Sequence, residues 1–262
     1  MVDADKERSC DGKRLERRVW RHFSEGIRAF SLINSGDHIL VAVSGGKDSM
    51  ALLELLATLR RNRNACFRLT AVHVRMENVD YASDLAGLER MAESAGVPFL
   101  VKDGHFEPDR KGRRSPCFLC SWHRRKLLFD TAQTLGCNKI ALGHHQDDIL
   151  RTALMNLTFS GTFSTMPAKL SMSKFPVTLI RPLCMVSEAD LTAWAELRSY
   201  PRMVKSCPYD RVTNRTSIAS VMEAMEKISP DYRRHLWHAL LKAGQLEEGG
   251  GEVGADCSSA IR

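Results

Sequence analysis

Residues 44–49, with the sequence Ser-Gly-Gly-Lys-Asp-Ser, constrain the fold of this chain more than any other stretch. They follow an apolar run at residues 38–43 and precede a segment of helical character at residues 51–59. A strand that ends in a glycine turn and leads into a helix presents free backbone N–H groups and the positive end of the helix dipole to a bound anion. The stretch therefore predicts a phosphate site at the end of a strand.

The side chains of this turn suit a phosphate ligand. Its members are Ser44, Gly45, Gly46, Lys47, Asp48 and Ser49. The two glycines let the main chain approach a ligand closely, and the two serines supply hydroxyl groups. Lys47 brings a mobile positive charge, and Asp48 suits a phosphate site in which Mg²⁺ mediates. The spacing is not G-x-x-x-x-G-K-[ST], so the turn is not the usual P-loop; the alternative is an ordinary strand-to-helix turn, which the Lys-Asp-Ser continuation disfavours.

Strand and helix patterns alternate along the chain. Strands are predicted at residues 39–43, 67–74, 98–101, 139–142 and 177–180, and helices at residues 13–33, 47–61, 81–95, 121–135, 149–159, 187–199, 217–228 and 232–243. This alternation predicts an α/β fold, a doubly wound parallel sheet of about five strands with an N-terminal helix and C-terminal helices. Residues 102–116 are predicted to form an exposed loop, and residues 160–174 a polar connection.

A second polar segment, residues 143–148, follows the fourth predicted strand. Ligands of open α/β sheets bind at the carboxyl ends of strands, so this segment should face the same crevice as the glycine turn. Gly143 begins it, Asp147 and Asp148 could hold Mg²⁺ beside a triphosphate, and His144 or His145 could contact phosphate. The alternative is a hydrogen-bonded histidine pair, with acids that only favour the start of a helix.

Three cysteines form the third candidate group. Cys117 and Cys120 make a Cys-x-x-Cys pair, which can chelate a metal or form a redox disulfide. Cys207 lies far along the chain, and nothing in the spacing brings it to the pair. Three thiolates would leave one metal position open, which suits a catalytic iron–sulfur centre better than a closed zinc site. Three unrelated thiols remain the alternative.

The charge distribution indicates a polyanionic partner. The net charge is +7 and the pI is about 9.1. Seven basic residues surround the cysteine pair with no acid among them: Arg110, Lys111, Arg113, Arg114, Arg124, Arg125 and Lys126. This basic cluster suits RNA phosphates, although a solvated charged face would look the same. No apolar run could span a bilayer and the N-terminus lacks the apolar core of a signal peptide, so we expect no membrane association and a cytoplasmic location, where cysteines do not form a disulfide framework.

The glycine turn resembles the PP-loop of ATP pyrophosphatases, enzymes that adenylate a substrate and release pyrophosphate. Four further stretches resemble the TtcA family of tRNA 2-thiocytidine synthetases. They are Pro-Cys-Phe-Leu-Cys at residues 116–120, Gly-His-His-Gln-Asp-Asp-Ile-Leu at residues 143–150, Met-Pro-Ala-Lys-Leu at residues 166–170 and Ile-Arg-Pro-Leu at residues 180–183. The resemblance extends from about residue 34 to residue 215.

This resemblance implies a site, its cofactors and a reaction. ATP and Mg²⁺ would bind at the PP-loop, with Lys47, Asp48 and Ser49 at the phosphates, and a [4Fe-4S] cluster with one free iron would be held by Cys117, Cys120 and Cys207. ATP would activate the C2 oxygen of an anticodon-loop cytidine in tRNA as an adenylate. Sulfur, carried as hydrosulfide on the open iron, would then displace AMP.

The chain departs from the family pattern in two places. Cys207 is followed by Pro208-Tyr209-Asp210 and not by the usual second cysteine, which is not expected to be a ligand. Residues 75–78 lack the acidic-then-basic pattern of the family. Two other functions therefore stay open at this point: a PP-loop enzyme that acts on another nucleotide or a small molecule, and a non-catalytic RNA-binding module that holds zinc.

The resemblance also divides the chain. We predict an N-terminal helical segment at residues 1–33, a PP-loop domain with the iron–sulfur site at residues 34–215, C-terminal helices at residues 216–243 and a disordered tail at residues 244–262. The predicted partners are tRNA and a sulfur donor, either a cysteine desulfurase or sulfide. Helices at both ends could build a homodimer surface, although amphipathic helices usually pack on their own domain.

Overall fold

The computed structural model describes residues 2–62, 66–78, 84–107, 115–173, 175–201 and 214–247. Cys207 and the basic residues at 110–114 lie outside the described residues. The helices are α1 (Val2–Ala29), α2 (Lys47–Asn62), α3 (Leu85–Ser94), α4 (Pro116–Thr134), α5 (Gln146–Ser160), α6 (Glu188–Leu197), α7 (Asn214–Ile228) and α8 (Tyr232–Lys242). The strands are β1 (His38–Ala42), β2 (Arg68–Met76), β3 (Phe99–Gly104), β4 (Lys139–Ala141), β5 (Lys169–Ser171) and β6 (Thr178–Ile180).

The strands form one six-stranded sheet in the order β3-β2-β1-β4-β6-β5. The five predicted strands pair in parallel, which confirms the α/β class. The expected count of about five omits β5, an antiparallel edge strand beside β6 that lies inside the predicted polar connection. It has only three residues, all at least partly exposed, so it carries no apolar alternation to reveal it.

Side chains alternate across the sheet and divide the core. In β1, Ile39 and Val41 belong to the large cluster that contains Leu52 of α2, whereas Leu40 belongs to a second cluster with Phe129 of α4. Of the described helices, only α4 contributes to the second face of the sheet, while the other seven contribute to the first. The cysteine pair therefore lies on the one helix that covers this second face.

The terminal helices share the core of the sheet. Phe23 of α1 and Trp237 of α8 are buried in the same cluster as the residues of α2. The predicted disordered tail begins too early, because Leu246 is fully buried and its carbonyl oxygen accepts a hydrogen bond from the backbone N–H of Ala168, at 3.0 Å. Residues 248–262 lie outside the described residues. None of the helices within the described ranges is long and apolar enough to cross a bilayer.

The predicted loop at residues 102–116 is shorter than expected at both ends. Strand β3 continues to Gly104, and α4 begins at Pro116 instead of Ser121. Ser115 is the N-cap of α4, and its side chain accepts a hydrogen bond from the backbone N–H of Phe118 at 3.2 Å. A serine followed by proline is a strong helix start, and it places both cysteines in the first turns of a helix.

Candidate nucleotide and metal site

Strands β1 and β4 are parallel neighbours at the point where the strand order reverses. The chain runs from β1 towards β2 on one side and from β4 towards β6 on the other, and this arrangement opens a crevice at the carboxyl ends of the two strands. The glycine turn and residues 143–148 follow those strands. A Cβ atom at Gly143 would lie 3.1 Å from the backbone nitrogen of Ser49 and 3.2 Å from the carbonyl carbon of Asp48. The two segments therefore meet, as the sequence predicts.

The glycine turn is closed by its own hydrogen bonds. Gly45 has a φ of 88°, a conformation that favours glycine. The Ser49 hydroxyl donates to the Gly46 carbonyl oxygen at 2.8 Å and accepts from the Ser44 N–H at 3.1 Å. The turn leads directly into α2, whose first N–H groups point into the crevice as in any helix N-terminus. The main chain thus has the closed turn and helix start that the sequence predicts for an anion site.

Two ionic side chains stand at the mouth of this turn. The Lys47 ammonium lies 2.8 Å from Asp48 Oδ1, and the two side chains are 30% and 29% exposed. Glu188, in the first turn of α6, places Oε1 3.9 Å from the same ammonium. The sequence does not single out Glu188 as a site residue, because only the fold brings α6 to the crevice. A cation between two carboxylates can exchange these partners for a phosphate and a divalent metal ion.

Asp147 is buried and joins three helices. Its Oδ2 accepts the backbone N–H of Glu188 at 2.7 Å, and its Oδ1 accepts a hydrogen bond from Arg233 of α8. Both oxygens are thus bound to protein donors. Asp148 accepts the His145 N–H at 3.3 Å and forms a capping box at the start of α5. Of the predicted acids, Asp48 is the most exposed to a ligand in the crevice.

His144 is oriented by an arginine from the stretch after β6. Arg181 Nε donates to His144 Nδ1 at 3.3 Å, and Arg181 also donates to the carbonyl oxygen of Pro167. Because a guanidinium has no acceptor, Nδ1 must be the unprotonated nitrogen, and the neutral ring carries its proton on Nε2. His144 can therefore donate a hydrogen bond from Nε2.

His73 supports the glycine turn from β2, although the sequence does not single it out. The side chain is fully buried, and its Nδ1 donates to the carbonyl oxygen of Val43, the last residue before the turn, at 2.8 Å. Burial lowers the pKa of His73, so the ring is neutral at physiological pH. An apolar strand pattern conceals such a residue, and no local signal could have revealed it.

The cysteine pair lies at the start of α4, on the second face of the sheet. Cys117 is exposed and Cys120 is half-buried, and their spacing of three residues places them on one side of the helix. Cys120 packs on the small apolar cluster of Val74, Met76 and Phe106. Arg124 Nε donates to Cys120 Sγ at 3.4 Å, and Arg124 Nη1 donates to the Val74 carbonyl oxygen at 2.7 Å.

These contacts bring the cysteine pair to the same edge of the sheet as the glycine turn. Val74 is near the carboxyl end of β2, the strand next to β1, and the Val72 carbonyl oxygen accepts the N–H of Val43 at 2.9 Å. The pair also fits a metal centre, since two thiols three residues apart at the start of a helix can bind one ion. The structure therefore places the start of α4, which carries Cys117 and Cys120, at the same edge of the sheet as the glycine turn, whereas Cys207 lies outside the described residues.

The described residues contain no complete set of metal ligands. No group of three His, Cys, Asp or Glu side chains within the described ranges is placed to hold a metal ion, so a metal centre at the pair would need a further ligand. Burial raises the pKa of the Cys137 thiol to about 11 and that of the Cys184 thiol to about 12. These two buried cysteines stay protonated and pack in the hydrophobic core, as expected for isolated thiols.

Comparison with known proteins places the chain in a family. The sequence profile of the PP-loop domain family, ATP_bind_3, matches residues 14–220. The chain is 35% identical over 243 residues to the tRNA-cytidine(32) 2-sulfurtransferase of Verminephrobacter eiseniae, covering 91% of this chain and 76% of the relative. It is 36% identical over 232 residues to the enzyme of that name from Anaeromyxobacter sp. (strain K), covering 87% and 79% of the two chains.

A solved structure supports the fold. The U34-tRNA thiolase NcsA from Methanococcus maripaludis, determined with its [4Fe-4S] cluster, superposes with a TM-score of 0.69 over 88% of this chain and 79% of that one, at 22% identity. This likeness concerns the fold alone, whereas the sequence matches extend over most of the relatives. The chain therefore belongs to the PP-loop family of tRNA-cytidine(32) 2-sulfurtransferases.

Proposed function

We propose that this protein is an ATP-dependent, iron–sulfur-dependent tRNA sulfurtransferase that converts a cytidine of the anticodon loop to 2-thiocytidine. The relatives are named for cytidine 32, and we assign the same position to this chain. The observation that carries the proposal is the placement of the cysteine pair and the glycine turn at the carboxyl ends of two neighbouring strands. A site with a phosphate cradle and sulfur ligands together suits the replacement of oxygen by sulfur.

The first step is adenylation at the glycine turn. The C2 oxygen of cytidine attacks the α-phosphorus of ATP, the bond from this phosphorus to the bridging oxygen breaks, and pyrophosphate leaves with Mg²⁺. Lys47 and the first N–H groups of α2 stabilise the charge that develops on the phosphates. Asp48 is the proposed Mg²⁺ ligand because it is accessible and adjoins Lys47. His144 donates from Nε2 to a phosphate or ribose oxygen in the crevice.

The buried acids of the crevice have positioning roles in this proposal. Asp147 joins α5 to α6 and α8 and so fixes Glu188 near Lys47. Asp148 caps α5, and its carboxylate would be the second candidate ligand if Mg²⁺ is bound. Ser44, Gly45, Gly46 and Ser49 shape the turn, and Gly143 lets the two strand ends meet.

The second step replaces oxygen with sulfur. Sulfide sulfur forms a bond to C2, the C2–O bond breaks, and AMP leaves with the oxygen, so the step needs no oxidant. We assign Cys117, Cys120 and Cys207 as ligands of a [4Fe-4S] cluster. When bound, such a cluster supplies an open iron that binds and activates sulfur. Arg124 positions Cys120 for this role, because its Nε donates to the sulfur while its Nη1 donates to the Val74 carbonyl oxygen.

Three further expectations follow from this function. The sulfur donor is a cysteine desulfurase or free sulfide, and a tRNA substrate implies a cytoplasmic enzyme.

A homodimer stays a prediction: α1 packs on α6 and α7 packs on α5, so the terminal helices already have intramolecular partners. Ile228 at the end of α7 is 85% exposed and is the first residue to examine in a dimer interface, for which light scattering gives the mass.

Mass spectrometry of tRNA nucleosides from a strain that lacks the gene tests the proposal. Loss of 2-thiocytidine, restored by the wild-type gene, is the expected result. Loss of a different thionucleoside would show that the enzyme modifies a nucleoside other than cytidine. The anaerobically purified protein should contain about four iron and four sulfide per chain. A colourless protein with a single zinc and no effect on any thionucleoside would identify an RNA-binding module instead.

A further inference from the structure

Three exposed arginines share one face of α1, away from the core. Arg14, Arg17 and Arg21 follow one another at spacings of three and four residues, which places them in a line along the helix. With Cys10 and Arg18 they line a concavity of about 410 Å³. We call these three residues the α1 arginine stripe.

The charged residues on the flank of α1 that faces α6 have acidic or basic partners. Arg18 pairs with Asp190 at 2.7 Å, and Glu16 pairs with Arg198 at 3.1 Å. These contacts attach α1 to α6.

The stripe differs from this flank because no carboxylate of the described residues pairs with it. Arg17 donates to the Lys13 carbonyl oxygen, and Arg21 contacts His22 Nε2 at 3.2 Å. Burial and, next, the charge of Arg21 lower the pKa of His22, so this neighbour adds no competing charge at neutral pH. The three guanidinium groups are therefore available to an anionic partner in solution.

Contacts through α6 connect α1, at the level of the stripe, with the nucleotide site. Arg18 binds Asp190 in the first turn of α6, and the same turn holds Glu188, which approaches Lys47. From this level the stripe extends along α1 from Arg21 to Arg14, a distance of about 10 Å. A polyanion whose reactive group is in the crevice can thus lie along α1.

We propose that the α1 arginine stripe binds backbone phosphates of the tRNA while the target base occupies the crevice. The inference rests on the proposed function, which requires RNA at this edge of the sheet. Arginine presents a planar fork of donors that matches phosphate, and phosphate contacts fix the register of a nucleic acid without reading its sequence. The stripe is remote in sequence from the basic cluster around the cysteine pair and is therefore a second group of basic residues that can be tested independently.

The full-length variant Arg14→Gln/Arg17→Gln/Arg21→Gln tests this assignment. Glutamine keeps the helical propensity of these positions, and circular dichroism verifies the fold. In filter binding across a series of KCl concentrations, the slope of log affinity against log salt should fall by about 2–3, one for each lost phosphate contact, and the Kd at low salt should rise about tenfold or more. In thiolation assays KM for tRNA should rise, while kcat at saturating tRNA and ATP affinity stay unchanged.

A control variant removes the same charge elsewhere. Arg61→Gln/Arg68→Gln/Arg90→Gln changes three exposed arginines outside α1. An equal loss of tRNA affinity in this control would overturn the proposal, because net charge alone would then explain the result. The proposal would also be overturned if the stripe variant kept the wild-type salt slope and the wild-type KM for tRNA. It would be overturned as well if the stripe variant bound tRNA normally but no longer bound an acidic sulfur-donor protein.

The same experiment separates this inference from the proposed function. If the wild-type protein binds tRNA through the stripe but forms no thionucleoside, the result supports the proposed binding surface and contradicts the proposed thiolation. If the wild-type protein forms the thionucleoside and the stripe variant binds tRNA as the wild type does, the result supports the proposed function and contradicts the proposed binding surface.

Discussion

The nucleotide half of the site and the cysteine half are built in different ways. The nucleotide half consists of residues 44–49 and 143–148, which follow two adjacent parallel strands and touch through backbone atoms. The cysteine half consists of Cys117, Cys120 and Arg124 on a single helix, attached to β2 by one arginine and a few apolar contacts. The first half is built from two segments that contact each other, whereas the second, as we propose it, depends on a further ligand. Substitutions should therefore affect the two chemical steps separately.

The largest effect should come from Asp48→Ala in the nucleotide half. Loss of the proposed Mg²⁺ ligand removes stabilisation of charge on the phosphates, and tRNA-dependent pyrophosphate release should fall by about 10²–10³-fold or more. Iron content should not change, because the cysteine half is independent of this residue. Asp103→Ala, on the exposed Arg75 ion pair, is the control. Normal pyrophosphate release in Asp48→Ala would remove Asp48 from the site.

A smaller effect is expected from Arg124→Gln in the cysteine half. Residues around a metal centre that orient its ligands typically contribute about 10–100-fold in metal affinity. Iron should therefore be lost faster to a chelator, while pyrophosphate release persists. Arg124→Lys keeps the charge but not the simultaneous contacts with Cys120 and Val74. Its rate of iron loss should therefore lie between the rates of the wild type and of Arg124→Gln. Equal iron retention in all three proteins would show that Arg124 does not support the cysteine half.

Gly143→Ala tests the contact between the two strand ends. The added Cβ would approach backbone atoms of Ser49 and Asp48, which cannot move aside as a flexible side chain can. The free energy of unfolding should fall by about 1–3 kcal/mol, and ATP should bind more weakly. Gly12→Ala is the matched control, since its Cβ would make an ordinary 3.4 Å contact with the Leu197 side chain. Destabilisation of both variants to the same extent would contradict the prediction.

The smallest effect concerns pH and a pair remote from both halves. At the amino-terminal edge of the sheet, buried Asp37 lies 2.6 Å from Lys139 Nζ. Burial opposes ionisation of Asp37, but hydrogen bonds from Lys139 and from the Asn34 N–H outweigh it and lower its pKa. The pair therefore stabilises the fold above the unfolded pKa of about 3.9, and this stability is lost as the pH falls through the lower folded pKa.

The effect of pH on the free energy of unfolding is measured by denaturant unfolding between about pH 6 and pH 3. These values roughly bracket the ordinary range of aspartate pKa values. Asp37→Asn should show a weaker dependence of the free energy of unfolding on pH than the wild type. Pyrophosphate release by the folded variant at neutral pH should be normal. An unchanged pH dependence would show that Asp37 is not perturbed in the folded state.

Local sequence signals predicted the nucleotide half well. The glycine turn is contiguous, and the strand patterns before residues 44–49 and 143–148 were sufficient to place both segments at one edge. The strand β5 was missed because a short, exposed edge strand leaves no apolar period. The start of α4 was placed five residues late, because the charged loop before it obscured the Ser115-Pro116 cap.

Long-range contacts account for the rest of what the sequence did not reveal. The bond from Arg233 to Asp147 joins residues 86 positions apart, and Glu188 reaches Lys47 only because α6 returns to the crevice. His73 and Arg181 are buried polar residues that donate to backbone carbonyl groups, and Arg181 also donates to His144; no spacing rule identifies these contacts. The assignment of Cys207 depends on family resemblance and stays a prediction.

The division of labour between the two halves is tested most directly by Cys120→Ser in the reconstituted, anaerobic enzyme. The assay measures pyrophosphate and 2-thiocytidine in the same reaction with tRNA, ATP and sulfide, with Cys10→Ser as the exposed-thiol control. Cys120→Ser should lose its iron and form no 2-thiocytidine, yet release pyrophosphate at a rate close to that of the wild type. Formation of 2-thiocytidine by Cys120→Ser, or loss of pyrophosphate release from a folded Cys120→Ser protein, would contradict the account.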